Sequence, residues 1–516
     1  MLGALIRQLI AGGRRSAEAA RLVAEAHQHI EQGAFDHARS LLTRALKLQP
    51  HDAAALSLRA RAGVLQRRFG EAEADYQAVL ALRPDDAGSL LDAARFAYEV
   101  NQFDRALELA ERALEHDASS LAAHHWHGVM LREFGRYDEA EAAMRRAGAG
   151  AGSLEALCGL ALVLTDQGRH AEAERALRQA LAIDTDCFQA RWLLAMLLLL
   201  QGRFAEGWTH YSVRLLRSDS SIRPRPLPFW DGGPAPPRPL LVLGEQALGD
   251  EILFASCFND LIAAAGDVII ECDPRLAALF ARSFPQATIF GHRDPRAAVF
   301  PDVSPAPAAQ IAAGSLPALF RPHAEAFPKH RGYLLADASK IGRWRERLDA
   351  LGPGPKIGLS WRGGTHKTRR ALRSIPLRDC ELLLARHDVS FVSLQYGEVT
   401  DDLAALGAAH GGKIYHWPEA VADLDEMAGL IAALDLVITV QTAAAHLAGA
   451  LGRPVWIMLP QSPEWRYLAA GSQLPWYPSA TLFRQRHVGE WRDVVQAVAA
   501  HIDVALEAPA RPVLPC

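Results

Sequence analysis

The sequence predicts an α-helical solenoid followed by an α/β region, and three observations carry this prediction. The first 215 residues repeat with a period of about 34. A proline-rich segment at 222–239 then interrupts the pattern. Beyond it, short apolar runs alternate with amphipathic stretches, as parallel strands do when helices connect them. A chain of 516 residues is also too long for one hydrophobic core, so several domains are expected.

The repeats are defined by three columns of residues. Small side chains recur in both helices of each unit, because two closely crossing helices leave no room for larger ones. The turn between the helices holds Gly33, Gly135, Gly168 and Gly202, where a positive φ suits glycine. Arg67 and Asn101 take that place in two units. Ring-bearing and small residues pair three positions apart in the second helix: Phe35/Ala38, Phe69/Ala72, Phe103/Ala106, Tyr137/Ala140, His170/Ala173 and Phe204/Gly207.

Over about six units, at 16–218, this pattern resembles the tetratricopeptide repeat (TPR) family. The resemblance implies a superhelix whose concave face binds peptides or proteins. A purely structural array that spaces or dimerises the chain, giving a homo-oligomer, stays open. The sixth unit carries Trp208, Tyr211 and Arg214 at helical spacing, and we expect this face to dock the last helix onto the next domain.

After a linker at 219–238, two α/β halves are predicted at 239–352 and 353–508, followed by a flexible tail at 509–516. Ligands of such sheets bind at the carboxyl ends of the strands, so a cleft between the halves is the expected site. The predicted strands lie at 240–244, 267–273, 287–291, 356–361, 390–395, 413–417, 435–440 and 454–459, with helices at 249–265 and 274–284 in the first half and an amphipathic helix at 487–507 closing the second.

Composition excludes several classes. The net charge is −4, which offers no global basic field for nucleic acid. Six scattered cysteines form no C-x-x-C pair, so neither a zinc site nor a disulfide framework is indicated, and a reducing cytoplasm fits. The apolar runs are too short to span a bilayer, and the N-terminal stretch reads as a helix rather than a signal peptide.

The first chemical junction is "LGEQALGDEIL" at 243–253. Gly244 ends a strand, Gln246 and Gly249 lie in the turn, and Asp250 begins a helix. The glycine spacing does not match a dinucleotide fingerprint. Asp250 is either a first-turn carboxylate that satisfies backbone amides or a general base facing the cleft.

The second junction is "SWRGGTHKTRRALRS" at 360–374. Glycines let the backbone approach a ligand, so Arg362, Gly363, Lys367 and Arg373 are candidates for phosphate contacts. A solvated basic loop is the alternative. Gln395 ends another strand nearby and is a third candidate.

The fourth junction is "VQTAAAHLAGALG" at 440–452. From Thr442 and Ala443 onward, free amides at a helix start make a ready anion site, with Gln441 and His446 beside it. A tightly packed helix with a satisfied core histidine is the alternative.

At these residues the region 200–505 resembles glycosyltransferases of the GT-B fold, with heptosyltransferases similar in the C-terminal part and O-GlcNAc transferase similar in overall plan. The pieces that match are "GRFAEGWTHYSVR", "GEQALGD", "RSIPL", "VSLQ", "AHLAGALGRPVW" and "PEWRYL…PWYPSATLFRQ". The fold class implied is an α-helical TPR solenoid followed by an α/β GT-B region of two Rossmann-like halves.

The resemblance implies that Asp250 is the catalytic aspartate and that Thr442 to His446 lie beside the phosphates of a nucleotide sugar. It also implies that the closing helix crosses back onto the first half. One departure is Gln441, where the relatives carry Asp before Thr; glutamine drops the charge and gains a donor. Donor choice, or activity itself, is therefore open at this position.

The expected function is a cytoplasmic glycosyltransferase that needs no metal and no cofactor beyond its nucleotide-sugar co-substrate. The acceptor would be a protein, with flagellin suggested by relatives, recruited by the repeats. Two alternatives remain: a TPR adaptor with a degenerate transferase-like domain, and a heptosyltransferase-like enzyme with a carbohydrate acceptor.

Overall fold

The computed structural model describes residues 2–149, 153–216, 222, 224–236, 239–292, 305–364, 369–404 and 414–507. The chain divides into two compact units, Met1–Leu164 and Thr165–Cys516. The predicted tail at 509–516 and Lys367 lie outside the described residues. None of the helices in the described ranges is long and apolar enough to cross a membrane.

The first unit consists of consecutive helix pairs. Its helices are α1 (Leu2–Glu31), α2 (Phe35–Leu48), α3 (Ala53–Leu65), α4 (Phe69–Leu82), α5 (Ala87–Glu99), α6 (Phe103–His116), α7 (Leu121–Glu133) and α8 (Tyr137–Ala147), and α9 (Leu154–Asp166) runs across the division. The predicted small residues are buried where the helices cross, with Ala38 and Ala106 fully inaccessible. All six predicted turn positions have a positive φ, including 59° at Arg67 and 63° at Asn101. The predicted repeat geometry is confirmed.

The second unit begins with the remaining repeat helices, α10 (His170–Ile183), α11 (Phe188–Leu200) and α12 (Phe204–Tyr211). Phe204, Trp208 and Tyr211 lie in one hydrophobic core with the first sheet. The Trp208 indole donates to the Arg321 carbonyl at 3.0 Å. The predicted docking of the last repeat helix is therefore confirmed.

The first sheet has the order β3-β2-β1-β4 and is parallel throughout. It is built from β1 (Leu240–Leu243), β2 (Val268–Cys272), β3 (Thr288–Gly291) and β4 (Ala309–Ala312), with α13 (Leu248–Phe254), α14 (Phe258–Ala265), α15 (Ala277–Ser283) and α16 (Leu316–Phe320). The helix predicted over 249–265 is interrupted by a 3-10 turn at Ala255–Cys257. β4 was not predicted, because its residues, AQIA, have little strand propensity.

Part of the predicted linker lies along the edge of the first sheet. Phe229 forms a parallel bridge with Gln310 of β4. The buried Gln310 side chain accepts from the Arg225 N–H at 2.8 Å and donates to the Arg225 and Leu227 carbonyls. The proline-rich segment is thus held to the sheet at these residues.

The second sheet has the order β10-β11-β9-β8-β5-β6-β7, parallel except for β10. Its strands are β5 (Lys356–Ser360), β6 (Ser390–Ser393), β7 (Ile414–His416), β8 (Leu436–Thr439), β9 (Val455–Leu459), β10 (Gln473–Leu474) and β11 (Tyr477–Arg484). The five predicted strands are confirmed, but β10 and β11 were missed. Pro478 near the start of β11 argued against a strand there, and β11 accommodates it next to its short edge partner β10.

The helices around this sheet are α17 (Ala338–Asp349), α18 (Arg370–Arg373), α19 (Glu381–Leu384), α20 (Pro418–Ala422), α21 (Leu424–Ala433), α22 (Ala443–Ala450) and α23 (Arg492–Glu507). α17 packs against α21, and the Trp344 indole donates to Glu426 at 3.0 Å. Val494 and Val498 of α23 lie in a core with Ile357 and Phe391 of the second sheet. The expectation that the closing helix crosses back onto the first half is wrong, because its apolar face is buried on β5 and β6.

Candidate active site

Two helix starts from the two sheets meet in the second unit. α13 follows β1 of the first sheet, and α22 follows β8 of the second. A Cβ added to Gly249 would lie 2.9 Å from the His446 Cδ2. Only a glycine lets the turn before Asp250 approach the second half this closely, so the structure brings the first and fourth junctions together.

Asp250 occupies the first turn of α13 and is buried. One carboxylate oxygen accepts from the Ala247 N–H at 3.3 Å, and the other pairs with Arg466, which follows β9 of the second sheet. Burial raises the pKa of the Asp250 carboxyl, and the Arg466 charge opposes that rise. The residue thus fulfils the amide-capping role and also faces the second half.

An alternating chain of charges continues from Asp250. Arg466 pairs with Glu464 at 2.8 Å, and Glu464 pairs with Arg373 at 2.6 Å. Arg373 also donates to the Gln441 carbonyl at 3.1 Å. Burial opposes ionisation of Glu464, but Arg466 and Arg373 together lower its pKa. The four side chains therefore carry no net charge as a group.

The sequence identified Arg373 but missed Arg466 and Glu464. Opposite charges two residues apart in "PEWRYL", each next to an aromatic residue, were the available signal. Such a segment predicts charges held in an apolar setting, where they need partners.

The start of α22 has open hydrogen-bonding capacity. Thr442 is the N-cap residue but its side chain makes no capping bond, and its hydroxyl lies 3.0 Å from that of Thr439. Ala443 begins the helix. Gln441 is only 2% exposed, and neither its amide oxygen nor its amide nitrogen has a hydrogen-bond partner. Unpaired buried amides are rare because they cost free energy, so this one calls for an explanation.

Gly363 allows the ends of β5 and β8 to approach each other at this point. A Cβ there would lie 2.6 Å from the Gln441 carbonyl oxygen. The predicted role of Gly363, close approach of the backbone, is thus realised first against the neighbouring strand end.

His446 is a buried residue whose ring is fully engaged. Its Nδ1 lies 3.0 Å from the Tyr477 hydroxyl and its Nε2 lies 3.2 Å from the Tyr467 hydroxyl. Burial lowers the His446 pKa to about 3, so the ring is neutral at pH 7. This matches the satisfied core histidine that was the alternative, and the ring positions two tyrosines.

Gln395 and Arg362 brace the end of β5. The Gln395 amide oxygen accepts from the N–H groups of Trp361 and Arg362, at 3.1 and 2.8 Å, and from the Ser360 hydroxyl. Its amide nitrogen donates to the Arg362 carbonyl. The Arg362 guanidinium pairs with Asp402 at 2.9 Å. Both side chains hold protein groups here, and their contact with a donor stays a prediction.

Gly244 and Gln246 hold the turn before α13 rather than line an open cleft. A Cβ at Gly244 would lie 2.8 Å from the Glu271 carbonyl oxygen. The Gln246 amide donates to the Tyr211 hydroxyl of the last repeat helix. Next to it, Glu245 accepts both guanidinium bonds of the buried Arg214, each at 2.8 Å. The last repeat thereby supports the turn that carries Asp250.

A second repeat residue reaches the loops of the second sheet. Asp166, at the end of α9 and 4% exposed, accepts from Arg369 at 2.7 Å and from the Ser462 hydroxyl at 2.6 Å. Arg369 has a φ of 58°, which is uncommon for a side chain of its size. Asp166 thus joins the segments that carry Arg373 and Glu464.

Comparison with known proteins identifies the repeats. Family models described as tetratricopeptide repeat match residues 23–87 and 158–211, and residues 63–126. The chain is 35% identical over 320 residues to Protein FlbA of Caulobacter vibrioides, a match covering 59% of this chain and 53% of that protein. The chain therefore spans about half the length of this curated relative.

Solved structures that the chain is similar to include three repeat-containing proteins. They are TTC0263, a TPR protein of Thermus thermophilus (23% identity, 35% of this chain, 99% of that chain, TM-score 0.33), a tetratricopeptide repeat protein of Parabacteroides merdae (18%, 39%, 81%, 0.34) and PilF of Pseudomonas aeruginosa (16%, 39%, 91%, 0.34). We rest no argument on likenesses of this size. The family models and the confirmed turn geometry together establish that the N-terminal region is an array of tetratricopeptide repeats.

Proposed function

We propose that the protein is a glycosyltransferase that moves a sugar from a nucleotide-sugar donor to a protein acceptor bound by the repeats. The observation that carries the proposal is the meeting of two different sites. A buried carboxylate, Asp250, comes from the first half, and a helix start with the unpaired Gln441 amide comes from the second. Chemistry between two substrates needs this division, with one substrate on each half.

In the proposed reaction the acceptor hydroxyl attacks the anomeric carbon of the donor sugar. The new carbon–oxygen bond forms as the bond to the diphosphate breaks, and the electron pair leaves with the phosphate oxygen. Asp250 takes the hydroxyl proton, for which a pKa raised by burial is favourable. Arg466 holds the carboxylate in place before the acceptor arrives.

The departing diphosphate would be stabilised by protein groups that are already charged or polarised. The amides at Thr442 to Ala445 form a helix start without a side-chain cap, and Arg373 lies beside Gln441. Such preorganised donors supply much of the stabilisation in transfer reactions. In this proposal the Gln441 amide binds a neutral polar group of the donor, such as a hydroxyl or a base amide, because it offers one acceptor and one donor.

The second candidate function is a non-catalytic TPR adaptor whose transferase-like domain binds a nucleotide sugar without consuming it. One observation favours it: the Asp250 carboxylate is already paired with Arg466, and the helix start carries Gln441 in place of the charged residue of the transferases it resembles. Both functions predict donor binding, so turnover separates them.

A thermal-shift screen of UDP-, GDP-, ADP- and CMP-sugars, followed by measurement of nucleotide release, tests the proposal. A donor at 100 times its Kd stabilises the protein by about 2.7 kcal/mol. The transferase predicts a shift with at least one donor and release of its nucleotide. A shift without release, across acceptors that the repeats capture, favours the adaptor. No shift with any of the four contradicts both.

A further inference from the structure

Three potential metal ligands lie together in the first repeat, far in sequence from the candidate active site. They are Glu25 and His29 of α1 and His37 of α2. One ligand atom of each lies within 4.8 Å of the other two. Glu25 and His29 are half-buried, and His37 is exposed, so the group is open to solvent on one side.

Helix geometry accounts for the cluster. Glu25 and His29 are four residues apart and therefore share one face of α1. Gly33, with a φ of 76°, turns the chain back so that α2 packs on that face. The His29 and His37 rings meet with centroids 4.4 Å apart and planes at 77°. The fully buried Ala26 and Ala38 bring the two helices close enough for this contact.

A second observation points to a ligand at this cluster. The Nδ1 atom of His29 is buried and has no hydrogen-bond partner. A buried polar atom without a partner costs about 1–3 kcal/mol, and most such atoms have one. The nitrogen of an imidazole ring can instead satisfy its lone pair by binding a metal ion.

We propose that Glu25, His29 and His37 bind a zinc ion that links the two helices of the first repeat. Two imidazoles and one carboxylate are a common ligand set for Zn²⁺, with the remaining position open to water. Because no such site exists in the unfolded chain, binding would stabilise the folded repeat. The cysteine spacing did not predict this site, because its ligands are two histidines and a glutamate. The site is independent of the proposed sugar transfer.

The simpler explanation is that His29 and His37 only pack edge to face. Zinc titration of the chelator-treated full chain, in competition with a chromophoric chelator, separates the two. Removing a group that only supports a ligand costs about 10–100-fold in metal affinity, so losing a ligand should cost at least as much. We expect H29N, H37N and E25Q each to weaken zinc binding more than tenfold.

His27→Asn is the matched control. His27 lies on the same helix, pairs with Glu31 at 3.5 Å and is not part of the cluster. H27N should bind zinc as the wild type does, and zinc should raise the Tm of the wild type and H27N but not of H37N. Circular dichroism checks that helicity is unchanged in each variant. Absence of zinc binding by the wild type, or binding that survives in the H29N/H37N double variant, would overturn the proposal.

Discussion

Two buried glutamines lie two residues beyond the ends of strands β6 and β8, which flank β5 on either side. Gln395 and Gln441 are each 2% exposed. The Gln395 amide makes hydrogen bonds from both ends to the backbone around β5. The Gln441 amide makes none. Residue type, burial and place in the sheet are the same, and the number of partners differs.

This difference separates scaffold from candidate site better than position does. A buried amide with all its bonds made is a structural element that a ligand cannot recruit without breaking them. A buried amide without partners is either an energetic defect or a group that waits for a ligand. Gln395 belongs to the first kind, and we assign Gln441 to the second.

The largest expected effect comes from removing the Gln395 amide. Q395L leaves the N–H groups of Trp361 and Arg362 buried without an acceptor, and each such loss costs about 1–3 kcal/mol. We expect the free energy of unfolding to fall by roughly 3 kcal/mol, measured by urea denaturation. A stability equal to the wild type would show that these bonds contribute nothing net.

Acid should expose the neutral state of His446, the histidine in the first turns of the Gln441 helix. Its folded pKa, about 3, is below the value of about 6.5 expected in the unfolded chain, so the unfolded state takes up the proton first. This stability is fully present above pH 6.5 and is lost as the pH falls toward 3.

Comparing the wild type with H446Q isolates this contribution. The stability of the wild type should fall relative to H446Q by about 1.4 kcal/mol per pH unit between pH 6 and 4, measured by denaturation at each pH. Parallel stability curves for the two proteins would mean that His446 titrates normally.

The smallest effect, and the one of opposite sign, is expected at Gln441. Q441L removes an unpaired buried amide, so the unliganded protein should gain about 1 kcal/mol of unfolding free energy. Affinity for the donor found in the screen should fall about tenfold, measured by calorimetry. Q395L, with its opposite stability change, is the matched control. Loss of stability in Q441L would place Gln441 with Gln395 as scaffold.

Local periodicity carried most of the fold prediction. The repeat columns, the positive φ of the six turns and the docking face at Trp208 all follow from residues close in sequence. β11 was missed because Pro478 and the preceding tryptophan-rich segment disguise its alternation. The 3-10 break inside 249–265 was missed because its residues continue the helical pattern.

The candidate site was less predictable because its key contacts are long-range. Asp250 and Arg466 are 216 residues apart, and no local signal pairs them. Likewise, sequence alone ranked Gln395, Gln441 and His446 together as donor contacts. Only the arrangement of their partners distinguishes the bonded Gln395 and His446 from the unpaired Gln441.

The most direct test of the central claim is nucleotide release from the sugar donor by the wild type and by Asp250→Asn. Asparagine keeps the size of the side chain and can still accept from Arg466, but it cannot take a proton. A general base contributes about 10²–10⁴-fold, so D250N should lose that factor in turnover while binding the donor with an unchanged Kd. Equal turnover by both proteins would contradict the account.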